Sequence, residues 1–329
     1  MTEIIGRNLE VGVSVENVRG TSPAAAEKWA KNITANITPK AEHVSDESSH
    51  NDLAASDGRR VTKKWQEGDI EMNMHADVIG YFLYNIYGAI VSSLVSGSVY
   101  SHVLTLAQNI IHPALSMYLK DGDVDQNVIN TVMVNTLTLD VSMDGYIKTT
   151  INVVGKGSAA NSDTPSYDTE YDFIGRDVNV KIAATEGALP AAEAIKVKEM
   201  SMTFDTGIIR DHVVGQYEPD DNYNAMLKIT GSMTLNFADT VLRDLFLDDT
   251  AKYMEIAIEG AADIGGANNP SLTILLNKVM ILGWDRSGAN DELVIEDIEF
   301  EAFYNKTDDQ QSELTLQNLT AEYDDAPSA

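Results

Sequence analysis

Hydrophobic and polar residues alternate one by one in two stretches that lie far apart. In EGDIEMNM, Ile70, Met72 and Met74 fall on one face; Glu67, Asp69, Glu71 and Asn73 fall on the other. LKITGSMTLNF repeats the arrangement, with Ile229, Met233, Leu235 and Phe237 opposite Lys228, Thr230, Ser232, Thr234 and Asn236. A period of two predicts a strand with one buried face. Each stretch then changes period. Val78, Ile79, Phe82, Leu83 and Ile86 form one helical stripe, and Val241, Leu242, Leu245 and Phe246 repeat it. Asp239 or Thr240 is placed to cap the second helix.

These matches belong to a diverged internal repeat. Gly68 corresponds to Gly231 and Asn73 to Asn236. Further on, HPALSMYL (112–119) matches NPSLTILL (269–276), and NTVMV at 130 matches NKVMI at 277. Ile147, Ile151 and Val153 match Val294, Ile298 and Phe300. The distance between matched positions shrinks along the chain, so the first copy carries the longer connections. Strands are expected at 114–119, 130–142 and 146–154, and again at 271–276, 278–284 and 293–303. MSMTF (200–204) is a further strand, with NITANI (32–37) as its counterpart. The expected organisation is an N-terminal arm (1–27), a first domain (28–160), a linker (161–172), a second domain (173–306) and an acidic C-terminal tail (307–329). ELTLQNL is an alternating piece within that loose tail. The polar stretch 44–60 is expected as a loop joining two strands.

At 329 residues with 43% hydrophobic content, the chain is long enough for two cores. Its formal charge is −28, from 51 acidic and 23 basic residues, which opposes any grip on nucleic-acid phosphates. The absence of cysteine excludes disulfides, thiol nucleophiles and thiolate zinc sites. Residues 78–119 carry no Asp, Glu, Lys or Arg, and the first half, VIGYFLYNIYGAIVSSLV, is long enough to span a bilayer, but Gly80, Asn85, Gly88, Ser92 and Ser93 interrupt it and no basic cluster flanks it. A helix buried against a sheet or at a subunit contact is therefore expected, without membrane insertion.

The short motifs of the chain fall short of sites of chemistry. Asp121, Asp123 and Asp125 have the rhythm of a calcium loop, but Gln126 and Val132 stand where it needs Gly and Glu. VVGKGS at 153–158 lacks the first Gly and the final Ser or Thr of a phosphate loop. His75 is expected at a strand end, and no pair of histidines has metal-binding helical spacing. Trp29, Trp65 and Trp284 are expected in cores or interfaces. No catalytic residue, metal or cofactor is expected.

Several phrases together resemble the tail tube proteins of long-tailed phages: VGVSVENVRGT at 11–21, KKWQEGDIEMNMHADVIGYFLYNIYGA at 63–89, HPALSMYLKDG at 112–122, VKIA at 180 and WDRSGANDELVIEDIEFEAFYN at 284–305. The resemblance implies a mainly β fold: two tandem tail-tube-like β-sandwich or barrel domains, each with one flanking α-helix, related to the type VI secretion tube. It also implies a structural, non-enzymatic subunit of the virion tail, made in the host cytoplasm. Single-domain members form six-membered rings, so a fused pair is expected to build the same ring from three chains. The implied partners are further copies of itself and other tail proteins (tape measure, terminator, baseplate or tip), with double-stranded DNA only as passing cargo. The alternative is a tandem β-sandwich binding module of a virion, recognising a receptor or carbohydrate. On the favoured reading the polar strand faces line the lumen: Asp69, Glu71, Asn73, Thr150 and Asn152 in the first copy, and Ser232, Thr234, Asn236, Asp297, Glu299 and Glu301 in the second.

Overall fold

The computed structural model describes residues 3, 5–48, 51, 53, 55–56, 58–169 and 171–323. The repeat is plainest in strand pairing. In the first copy, β1 (Leu9–Val15), β3 (Asn32–Ala35), β4 (Thr38–Asp46), β5 (Gly58–Asn73), β8 (Leu115–Asp121), β9 (Asp125–Ser142) and β10 (Lys148–Gly155) join in the order β1–β8–β9–β10–β5–β3/β4. In the second, β12 (Val178–Ala183), β13 (Val197–Asp205), β16 (Lys228–Asn236), β17 (Lys252–Glu259), β18 (Ser271–Ser287) and β19 (Ile295–Ala302) join as β12–β17–β18–β19–β16–β13. All pairings are antiparallel.

Even the irregularities recur. The β10–β9 register skips Asn135, passing from Asn152↔Thr136 to Val153↔Val134. The β19–β18 register skips Leu282, passing from Glu299↔Gly283 to Phe300↔Ile281. A second shift separates Leu115↔Val132 from Met117↔Ile129, and its counterpart separates Lys252↔Val279 from Met254↔Leu276. Bulges bend a strand. They divide the pairing of each long strand: β9 pairs first with β8 and then with β10 and β13, and β18 first with β17 and then with β19.

The second halves of β9 and β18 build one continuous sheet across both copies, because β9 also pairs with β13: Leu137↔Phe204, Thr138↔Thr203 and Leu139↔Met202. One face of this sheet carries Ile70, Met72, Ile151, Leu137, Leu139, Met202, Phe204, Ile229, Met233, Ile298 and Phe300, all essentially inaccessible to water. They belong to a single core that runs through both copies.

The helices α1 (Ile79–Tyr87) and α2 (Val241–Leu247) follow equivalent strands but differ in cover. Val78, Ile79, Phe82, Leu83 and Ile86 are buried, whereas Val241 is 58% exposed and only Leu242 of α2 is buried. Thr240 is the N-cap of α2 but makes no side-chain capping bond; Asp239, one residue before it, accepts the Val241 N–H at 2.9 Å.

Several expectations need correction. The uncharged run beyond Tyr87 is no helix: Gly88 ends α1 at φ +79 with its N–H on the Tyr84 carbonyl, and a hairpin follows, β6 (Gly88–Ser96) and β7 (Val99–Leu106). A left-handed stop of this kind favours glycine. Among the described residues, no helix is long and apolar enough to cross a membrane. Residues 271–284 are one strand rather than two. HPALSMYL and NPSLTILL are not counterparts, since β8 occupies the place of β17 while 271–276 begin β18. Apolar alternation alone does not distinguish neighbouring strands. The stretch assigned to an N-terminal arm contributes β1, zipped to β8 from Leu9↔Asp121 to Val15↔Leu115. The stretch assigned to an acidic tail contributes β20 (Ser312–Asn318), which pairs with both β18 and β7, and ends in the buried Tyr323. The loop expected at 44–60 is narrower, because β4 and β5 extend into it as a two-stranded ribbon; residues 49, 50, 52, 54 and 57 lie outside the described residues.

Candidate functional site

The face of the shared sheet opposite the core is polar from edge to edge. All eleven residues singled out in the sequence lie on it. Across β5 and β10, Asp69 is opposite Asn152 and Glu71 opposite Thr150, while Asn73 is opposite Lys148. Across β16 and β19, Ser232 is opposite Glu299, Thr234 opposite Asp297 and Asn236 opposite Ile295, with Glu301 opposite Thr230. The two groups are joined through β9 and β13, whose face residues the sequence reading missed: Thr136, Thr138 and Asp140, then Ser201, Thr203 and Asp205. The signal was present, since NTLTLDVS and MSMTFD alternate as regularly as the strands that were chosen.

Short side-chain bonds run across the strands of this face. Asn152 Nδ2 donates to Asp69 Oδ1 at 2.8 Å, Ser201 Oγ to Asp140 Oδ1 at 2.6 Å and Thr234 Oγ1 to Asp297 Oδ1 at 2.6 Å. Thr138 and Thr203 share a 2.9 Å bond across the joint between the copies. Cross-strand pairs of this type hold register without apolar burial. Lys148 reaches Glu71 at 3.4 Å and Lys228 reaches Glu301 at 3.3 Å. Asp69, Asp140, Asp297 and Glu299 remain exposed, and among the described residues they form no ion pair with Lys or Arg. The face is thus a wet, hydroxyl-rich surface with surplus negative charge. Asp285 on β18 adds to it and stands directly opposite Asp297.

The other candidates have structural settings. His75 follows β5, is 1% exposed, and its Nδ1 contacts the Asp172 carboxylate. Asp121, Asp123 and Asp125 surround the β8–β9 turn, where burial and the Asp125 charge raise the Asp121 pKa. Among the described residues, no group of three His, Asp or Glu side chains is placed to hold a metal ion. Trp29 packs with Tyr118 and Val128. Trp65 lies under the Arg210 guanidinium, 4.5 Å from the ring centre, and so belongs to the contact between copies. Trp284 stacks edge-on with Phe237 and donates to Glu296 at 2.9 Å.

No curated protein matches the sequence. A family model described as phage tail tube protein matches residues 6–302, a span that opens just before β1 and closes at the end of β19. The chain belongs to the phage tail tube protein family, and is a structural component of a viral tail.

Proposed function

We propose that three chains close into a ring of pseudo-sixfold symmetry, and that stacked rings form a hollow conduit whose inner wall is the acidic, hydroxyl-rich face. The observation that carries this reading is the β9–β13 joint. It links the copies through main-chain pairing, and the matching edges at the two ends of the sheet are unpaired. Residues 280–287 of β18 pair only with β19, and β3 and β4 pair only with β5, among the described residues. Equivalence of Trp284 with Leu137, and of Pro39 with Phe204, sets the register of a joint between chains. Asp285 then lies opposite Thr38 and diagonal to Lys40 of the next chain. That cation relieves the repulsion Asp285 meets from Asp297 within its own chain. Repeating one head-to-tail joint around a closed ring leaves no sheet edge exposed.

An acidic wall suits passage of DNA, because cationic side chains would bind phosphates and each contact would be a barrier to sliding. The eleven residues named above are the proposed lumen lining. The mass of isolated rings, or the symmetry of the tube by electron microscopy, tests the reading: three chains per ring are expected, and six chains would overturn it.

A further inference from the structure

The second copy opens with Ile174, Gly175, Arg176 and Asp177; the first opens with Ile5, Gly6, Arg7 and Asn8. Both tetrads form the same turn. Asp177 N donates to Ile174 O at 2.9 Å, and Asn8 N donates to Ile5 O at 2.9 Å. Each turn leads directly into the equivalent strand, β12 or β1.

Their surroundings differ. The second-copy turn is latched onto the β9–β10 connection of the first copy. Ile174 forms a β-bridge with Tyr146, Gly175 N donates to Gly145 O at 3.1 Å, and Ile147 N donates to Phe173 O at 2.9 Å. The fit explains the glycine: a Cβ on Gly175 would lie 2.0 Å from the Ser142 carbonyl oxygen. Gly6 faces open space, with nothing within 4 Å of an added Cβ, and its φ is not positive, so nothing inside the chain requires glycine there. Ile5 is 65% exposed.

The receiving surface is also present twice. Leu293 and Val294 occupy the places of Tyr146 and Ile147, because the chain between the paired residues Ser287 and Ile295 is as long as that between the paired residues Asp140 and Lys148. Ile147 is fully buried beneath the latch; Val294 is 40% exposed and Leu293 71%. A groove beside α2, lined in part by Leu235, Val241 and Leu245, also includes Glu296, two residues after Val294.

We infer that the Ile5–Asn8 turn of one chain docks on the β18–β19 connection of a second copy of this chain, as Ile174–Asp177 docks on the β9–β10 connection within it. The inference rests on the ring reading and identifies a contact, separate from the sheet edge, that closes the ring. Gly6 meets the main chain at Ala289, the counterpart of Ser142, and Ile5 meets Leu293. The vacant apolar surface selects this occupant because the molecule itself displays the filled version.

The chain has no cysteine, so an introduced pair reports directly. Bridged residues bring their Cα atoms to about 4.5–5.5 Å, within the reach of a disulfide. Oxidation of assembled I5C/L293C protein is expected to yield covalent trimers, with neither single variant passing beyond dimers. Gly6→Ala is expected to leave the melting temperature of the dispersed chain unchanged and raise the concentration needed for assembly by at least about tenfold. Gly175→Ala, which strikes the internal latch, is expected to lower the melting temperature itself. Wild-type rings of three chains, combined with no cross-linking and normal assembly of Gly6→Ala, would overturn the latch and leave the ring standing. Wild-type rings of six chains, or none at all, would overturn both.

Discussion

Arg19 donates through Nε to both carboxylate oxygens of Asp221 at 2.8 Å, joining the segment after β1 to the chain that leads into β16. The same guanidinium donates to the His112 carbonyl at 2.5 Å and to the Asn222 carbonyl. One cation thus fastens three segments from two copies. Bonds from a charged, largely covered donor are worth more than neutral ones, and loss of one partner leaves the others unsatisfied. Arg19→Ala is expected to lower unfolding stability by about 2–4 kcal/mol in urea titrations. A change of less than about 0.5 kcal/mol would show the clasp to be incidental.

Gly80 lies against Tyr323, where an added Cβ would sit 2.2 Å from the ring. Tyr323 in turn donates to the Asp77 carbonyl at 2.7 Å and meets Tyr81 edge-on. Gly80→Ala is expected to cost about 1–3 kcal/mol through overpacking. In a Tyr323→Ala background most of that cost should vanish, as a double-mutant cycle would measure.

His212 packs edge-on against Trp65, and its pKa is lowered, first by burial and then by Lys63 and Arg210. The unfolded chain therefore takes up this proton more readily than the folded one. The stability linked to neutral His212 is complete above pH 6.5 and declines as pH falls from 6.5 toward the lower folded value. His212→Gln should flatten the slope of stability against pH in that window. An unchanged slope would remove His212 from the acid response.

Asp69, Glu71, Asp297, Glu299 and Glu301 lie on the one sheet face proposed to line the lumen. Lysine at all five positions should leave tubes able to assemble and should slow genome ejection, most of all at low salt. Each wall charge acts on a phosphate by well under about 1 kcal/mol in water, so the effect grows with the number of rings. Ejection at the normal rate would place these carboxylates elsewhere.

The β4–β5 ribbon exposes every residue from Thr38 to Asp46. A two-stranded ribbon with one strand fully exposed is marginal in isolation, which favours a contact with an adjacent ring. Deletion of residues 46–57 should leave a folded chain that fails to polymerise; normal tubes from that deletion would refute the contact.

Much of this fold was legible in alternation. Strands with one wet and one buried face, such as β5, β16 and β19, declare themselves because every second residue must meet water. The repeat was visible for the same reason, yet its true start was missed. Gly-Arg at 6–7 and again at 175–176 is too short a phrase to stand out, although it opens both copies. β20 was underestimated because its place depends on the inserted β6–β7 hairpin beside it, and no local pattern announces a partner so distant in sequence. The helix length was overestimated because an uncharged run buried on two sides loses its period, leaving only Gly88 to mark the stop.

The Thr138–Thr203 joint has a kinetic consequence. Two domains held by one backbone meet at an effective concentration set by their linker rather than by their abundance in solution. In the proposed six-domain ring, every second seam is then already closed when a chain finishes folding. Three seams remain: two form by encounters between separate molecules, each with its loss of translational and rotational freedom, and the third closes within the assembled trimer. Fusion also fixes the order in which unlike domains alternate, so a ring cannot close with two first copies side by side.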